Sequence, residues 1–463
     1  MGWGCEGSID GRFSAAESAF WCGVEPLFRV VNTNFRCHDG IRNTLSDLAQ
    51  MNTERFPTAF GLMLFAIFLI APLGVAAPMG LVPLLAVAGL CGFFLTGNKS
   101  VLKDAFPPRI IVPLGALAVL GIVSAVWAPA PTRAATLTLK LGALSLLGLV
   151  AWRTMAKLDA KRRGQVENIF LAGLVLSFVI LLMAILYAEI VGDSLWGTHS
   201  GNPLTTLSRG EAVLALLTWP AGAILWRRWG WKAAAILFIA IVLCFILLTN
   251  AAVLLSLAAG AAAFASVLLL RRKALAAIGS FCAALALLAP AVVLAIPAGD
   301  VMFQKIGGVF PSVVHRVYTW HFVTDRILER PFIGWGLDAS RNIPGGHDQL
   351  NLDLFAIWGS EILPLHPHNA ALQVWLELGL PGALLMAGFI LAVFLGPPHS
   401  PQPAPRSVFV DALRAAATTS YLAIGALSYG VWQNWWIAAG WLLAALIAGI
   451  SEDAEDADET GAR

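Results

Sequence analysis

Apolar residues run along this chain in long blocks, separated by short polar intervals. A helix needs about 20 mostly apolar residues to cross the hydrocarbon core of a bilayer. Twelve stretches fit that pattern: 58–76, 78–97, 109–128, 135–155, 168–191, 211–226, 231–249, 251–270, 274–297, 370–396, 412–428 and 432–450. The pattern predicts an all-α fold, a polytopic transmembrane helix bundle of about twelve spans. It also divides the chain. An N-terminal extension covers 1–57, spans one to nine cover 58–297, a large loop domain covers 298–369, spans ten to twelve cover 370–450, and an acidic tail covers 451–463. Residues 1–50 hold no spanning run and lack the charged, apolar, small-residue order of a secretory signal. Met51 starts a stretch that reads like a natural membrane-protein N-terminus, so the extension is expected to be mis-started or of little functional weight.

Composition narrows the class. Hydrophobic residues make up 58% of the chain and charged residues 13%, against roughly 45–50% and 25% in soluble domains. This excludes an ordinary soluble enzyme. A formal net charge of +2 offers a nucleic acid no basic face. Charge placement says more. With the N-terminus in the cytoplasm, the inner loops collect sixteen Lys and Arg residues, among them Lys157, Lys161, Arg162, Arg163, Arg271, Arg272 and Lys273. The short outer loops carry only Arg133 and Arg209. That asymmetry predicts both termini inside. The six cysteines form no CxxC pair and no ligand set with histidine, so no disulfide framework or zinc site is read.

The candidate chemistry lies on the predicted outer face, in the interval 192–210 and the loop 298–369. SVVHRVYTWHFVTDRILERP has apolar residues at Val313, Val317, Trp320, Val323 and Ile327, the spacing of an amphipathic helix. Ser312 is its expected cap and Pro331 its end. Arg316 and Trp320, four apart, share a face. Periodicity alone favours a surface helix lying on the bundle, with Arg316 merely solvated. His366 and His368 precede the tenth span, with Asn369 as expected cap. A histidine at a helix N-terminus is held neutral by the dipole and accepts a proton; two interfacial histidines without a task fit as well. Arg209 stands at the outer mouth of the sixth span, as a functional cation or a snorkelling side chain. Lys140 falls inside the fourth predicted span, where a cation is costly and marks a candidate unless the span begins later. The large loop carries five Lys and Arg against seven Asp and Glu, so any anion site must come from a few local arginines.

The stretch HNAALQVWLELGLPGALL resembles the signature of the O-antigen ligase and polymerase family, the Wzy_C-type membrane glycosyltransferases: a histidine, ten residues, then glycine, here His368 and Gly379. HRVYTWHFVTDRILERPFIGWG resembles the arginine-to-tryptophan helix and Pro-x-x-Gly-x-Gly turn that precede it. The predicted layout, with a large loop between spans nine and ten, is similar as well. The resemblance implies a GT-C-like bundle in a bacterial inner membrane. It implies metal-independent, inverting transfer of a glycan from an undecaprenyl diphosphate carrier to lipid A–core or another glycan acceptor at the periplasmic face, with no cofactor. His368 would be the general base, and Arg316 and Arg209 would hold the diphosphate. His366, Trp320 and Lys140 are secondary candidates. Residues 338–364 depart from the family pattern, so acceptor contacts do not carry over. A polymerase of the same family, a protein O-oligosaccharyltransferase and a polytopic transporter stay open beside the ligase.

Overall fold

The computed structural model describes residues 58–96, 107–191, 207–248, 250–306, 311–350, 361–396 and 408–450. The predicted N-terminal extension, most of the interval 192–210, part of the linker at 351–360 and the acidic tail lie outside the described residues. Within them, helices stand at every predicted stretch: α1 (Thr58–Ala76), α2 (Leu81–Thr96), α3 (Pro108–Ser124), α4 (Pro131–Ala156), α5 (Ala160–Val191), α6 (Ser208–Trp229), α7 (Trp231–Leu247), α8 (Ala251–Leu270), α9 (Arg272–Leu287), α10 (Ala289–Leu294), α11 (Gly299–Ile306), α12 (Pro311–Glu329), α13 (Ala370–Leu395), α14 (Val408–Leu427) and α15 (Asn434–Ile450). The only strand-like pairing among the described residues is one isolated bridge, Gln349 with Glu361. The all-α class is borne out.

Among the described residues, six helical segments are long and apolar enough to cross a membrane: Thr58–Ala76, Pro78–Leu95, Pro131–Ala156, Ala160–Tyr187, Ala251–Leu270 and Ala370–Leu395. Three further apolar helices, α3, α7 and α15, are shorter. The protein is thus a multi-pass helical bundle, of which these six elements meet the length criterion. Large apolar side chains stay exposed on its flanks, Leu269 at 80% and Leu247 at 77%. A water-soluble surface rarely carries such a belt; against lipid it costs nothing. The predicted stretch 274–297 is two helices, α9 and α10, because Pro290 sits in the first turn of α10 and cannot continue the ladder of α9.

Helix pairs close on small residues. α8 lies on α14, where a Cβ on Gly260 would meet Ala416 O at 2.9 Å. In lipid, where apolar side chains gain nothing from leaving the solvent, such close approach is a main source of association. α4 packs on α2 and α15, and α13 on α3 and α9. A separate cluster, with Val323, Ile327, Ile343, Leu363, Leu372 and Leu376 at its centre, joins α12 and the loop beyond it to the first turns of α13. It fixes the loop domain on the bundle.

Candidate functional site

α12 faces the protein through Val314, Val317, Thr319, Val323 and Ile327. Val314 takes the buried place expected of Val313, which is 40% exposed. The helix begins at Pro311, so Ser312 lies in its first turn instead of capping it. Its carbonyl and its Oγ accept from Arg316 Nη1 at 3.2 and 3.0 Å. The buried Nε of Arg316 has no hydrogen-bond partner among the described residues. Burial lowers the Arg316 pKa, opposed by Tyr429.

Three side chains of α12 stitch down the loop that carries the histidines. His315 Nε2 donates to Glu361 O at 3.0 Å, Thr319 Oγ1 to Ile362 O at 2.7 Å, and Trp320 Nε1 to Pro367 O at 2.9 Å. Trp320 is therefore a clamp on the histidine segment. Asn369 caps α13, its Oδ1 accepting from Leu372 N at 3.1 Å. Immediately before it, His368 sits at φ 52°, in the left-handed region. An L-residue there costs about 1–2 kcal/mol, and such strain concentrates at working sites.

The His368 ring is oriented by one bond. Its Nδ1 lies 2.7 Å from Ser428 O; a carbonyl only accepts, so Nδ1 carries the proton. Nε2 is then the free lone pair, and no described residue bonds to it. Burial pushes the His368 pKa down to about 4, opposed by the Ser428 bond and assisted by Arg316 and His315. His366 lies beside it, the ring centroids 4.4 Å apart. His366 Nδ1 accepts from His368 N at 3.2 Å, so the neutral ring carries its proton on Nε2, which lies 2.9 Å from the Gln433 side-chain amide. Burial first, then His368, Arg341 and Arg209, push its pKa down to about 3.

Arg209, exposed at the start of α6, lies within electrostatic reach of His366 and Tyr429, as Arg316 does of His368 and Tyr429. Tyr429 is anchored by donating to Ser208 O at 2.8 Å. The structure thus brings together His368, His366, Arg316, Arg209 and, as a clamp, Trp320. Lys140 does not join them; it is exposed on α4. No group of three His, Cys, Asp or Glu side chains among the described residues converges as a metal site.

The sequence reading missed three participants, Arg341, Tyr429 and Gln433, along with the buried support beneath them. Gln373 and Glu377 on α13 are both buried. Glu377 accepts from Asp338 N and Trp432 Nε1 at 2.7 Å each, Gln373 Nε2 at 3.0 Å and Ser340 Oγ at 2.5 Å. A carboxylate within an apolar stretch is a signal that could have found it. The glycine turn docks on the same segment. Trp335 N and Gly336 N donate to Leu376 O and Glu377 O at 2.8 Å, and Leu380 N donates back to Pro331 O at 2.9 Å.

Residues 194–387 match the family model described as "O-Antigen ligase". A Rickettsia prowazekii protein named "Putative polysaccharide ligase" is 32% identical over 252 residues, which cover 53% of this chain and 58% of that protein. A Rickettsia conorii protein of the same description is 30% identical over 241 residues, 52% of this chain and 57% of that one. The chain therefore spans a little over half the length of the curated relatives it matches. The segment that resembles this family model contains Arg209, α12, the glycine turn and His368 with Gly379.

Proposed function

We propose that this protein is an O-antigen ligase, moving a glycan from undecaprenyl diphosphate to lipid A–core at the periplasmic face of a bacterial inner membrane. One observation carries the reading: His368, whose Nε2 no described residue bonds, lies within electrostatic reach of the Arg316 guanidinium, and the adjoining His366 within reach of Arg209. The acceptor hydroxyl gives its proton to His368 Nε2 as its oxygen forms the new bond to the anomeric carbon. The bond from that carbon to the diphosphate oxygen breaks with inversion, and the electron pair leaves on undecaprenyl diphosphate. Charge grows on the leaving oxygens as this happens. Arginine is a permanent planar cation able to grip two of them, and fixed cations aimed at developing charge lower the barrier most. Arg316, whose buried Nε has no partner among the described residues, is the principal grip and Arg209 the second. A low His368 pKa keeps the base unprotonated at neutral pH. The layout that goes with this chemistry is twelve spans with the loop 298–369 outside and both termini inside.

Exchange of His368 for alanine tests the reading. The variant is expected to insert normally and to transfer no glycan in a strain lacking the native gene, read on a gel of the surface polysaccharide. Transfer at the native rate would remove His368 from the role of base. The same gel separates the two family activities. Long chains left on the carrier, with bare lipid A–core, mean a ligase; lipid A–core capped by single units means a polymerase.

A further inference from the structure

We propose that Glu377 is a positioning residue for His368, acting through the segment that follows α14. The inference rests on His368 serving as the base. Glu377 is fully buried on α13, nine residues beyond the histidine. Every group facing its carboxylate is a donor: the N–H of Asp338, the hydroxyl and N–H of Ser340, the Gln373 amide and the Trp432 indole. No cation pairs with it among the described residues. Each of these groups can donate to a carboxyl oxygen, and of them only the Ser340 hydroxyl can also accept.

The bonds run in one direction. Glu377 takes the indole N–H of Trp432 and the amide of Gln373, and Gln373 Oε1 takes the N–H of Val431 at 2.9 Å. Residues 431 and 432 are thereby held to α13 at two points. The same segment carries the two groups that contact the histidines, Ser428 O on His368 Nδ1 and Gln433 on His366. Glu377 thus sets where the Ser428 carbonyl lies, and that carbonyl decides which nitrogen of His368 keeps the proton. If the segment drifts, the proton can shift to Nε2, and the ring then offers its lone pair to the wrong side. The other three donors tie the segment just beyond the glycine turn to the same carboxyl group, so one buried side chain registers both walls of the site.

The test uses the full chain in lipid nanodiscs, with 15N-labelled histidine and glycan transfer followed across pH. Native protein is expected to show His368 as the Nδ1–H tautomer. Glu377→Gln keeps the size but turns an NH2 group toward at least two donors. It is expected to mix the tautomers, move the pH profile of the rate, and lower the turnover rate about tenfold with little change in KM, as loss of an outer partner commonly does. Trp432→Phe removes one bond and leaves the ring; it serves if Glu377→Gln does not accumulate, and it is expected to move the tautomer ratio in the same direction. An unchanged His368 tautomer and pH profile in the variant that folds overturns this role while leaving His368 as base. Normal transfer by His368→Ala overturns the base itself, and the two failures are therefore distinguishable.

Discussion

At the scale of single residues, the site is governed by the difference between burying an imidazole and burying a guanidinium. A buried imidazole can shed its proton and stay uncharged, whereas a guanidinium keeps its charge and needs an anion or a wet edge. His366 and His368 do the first, at about 3 and about 4. Both lie below the ordinary value for histidine, about 6.5, so the unfolded chain binds more protons than the folded one between these values. Stability therefore rises with pH across that window and is lost on acidification. Melting in detergent is expected at a lower temperature near pH 5 than near pH 7.5, and exchanging both histidines for glutamine is expected to flatten the difference. Arg316 does the second: one Nη is occupied by Ser312, and the buried Nε has no hydrogen-bond partner among the described residues. Arg316→Lys keeps the charge but loses the fork, so kcat/KM is expected to fall by about tenfold or more; equal activity would argue against a diphosphate contact.

At the scale of elements, the two sequence signatures are one joint. The Pro-x-x-Gly-x-Gly turn lies on α13 where Gly379 interrupts the helix at φ 61°. A Cβ on Gly334, itself at φ 65°, would come within 2.5 Å of the Glu377 carbonyl carbon and oxygen, and one on Gly379 within 2.7 Å of Phe332 C. The eleven-residue step from His368 to Gly379 is thus the length of chain between that histidine and the docking point of the turn. Gly334→Ala and Gly379→Ala are expected to destabilise the protein by about 2 kcal/mol or more, combining backbone strain with a backbone clash, and to accumulate poorly. Gly142 on α4 has nothing within 4 Å of its Cβ position; Gly142→Ala is expected to leave melting unchanged or raise it slightly.

At the scale of the whole molecule, α6 connects two polar ends. It starts at Arg209 beside the histidines and finishes at Arg227 and Arg228, which pair with the buried Glu167. Its 22 residues span about 33 Å at 1.5 Å each, close to the ~30 Å of a bilayer core. If the site end is periplasmic, a cysteine at His347 should react with an impermeant thiol reagent in intact cells. One at Trp231 should react only after the membrane is opened. The reverse labelling would invert the proposed orientation.

The blocks of apolar residues alone determined that this chain is an all-helical membrane bundle, because a spanning helix satisfies its backbone internally and needs only length and composition. The arginine-bearing helix and the histidine before α13 were legible for a related reason: a helical repeat and a cap are local. Gln373, Tyr429 and Gln433 were not, since what makes them matter is distant chain brought close; Glu377 offered a local signal as a carboxylate in an apolar stretch, but its partners did not. Lys140 shows the converse, a costly residue by local rules that the fold leaves on an exposed face of α4. Only tertiary packing decided which nitrogen of His368 is free, since that depends on a carbonyl sixty positions away, and no periodicity encodes such a contact.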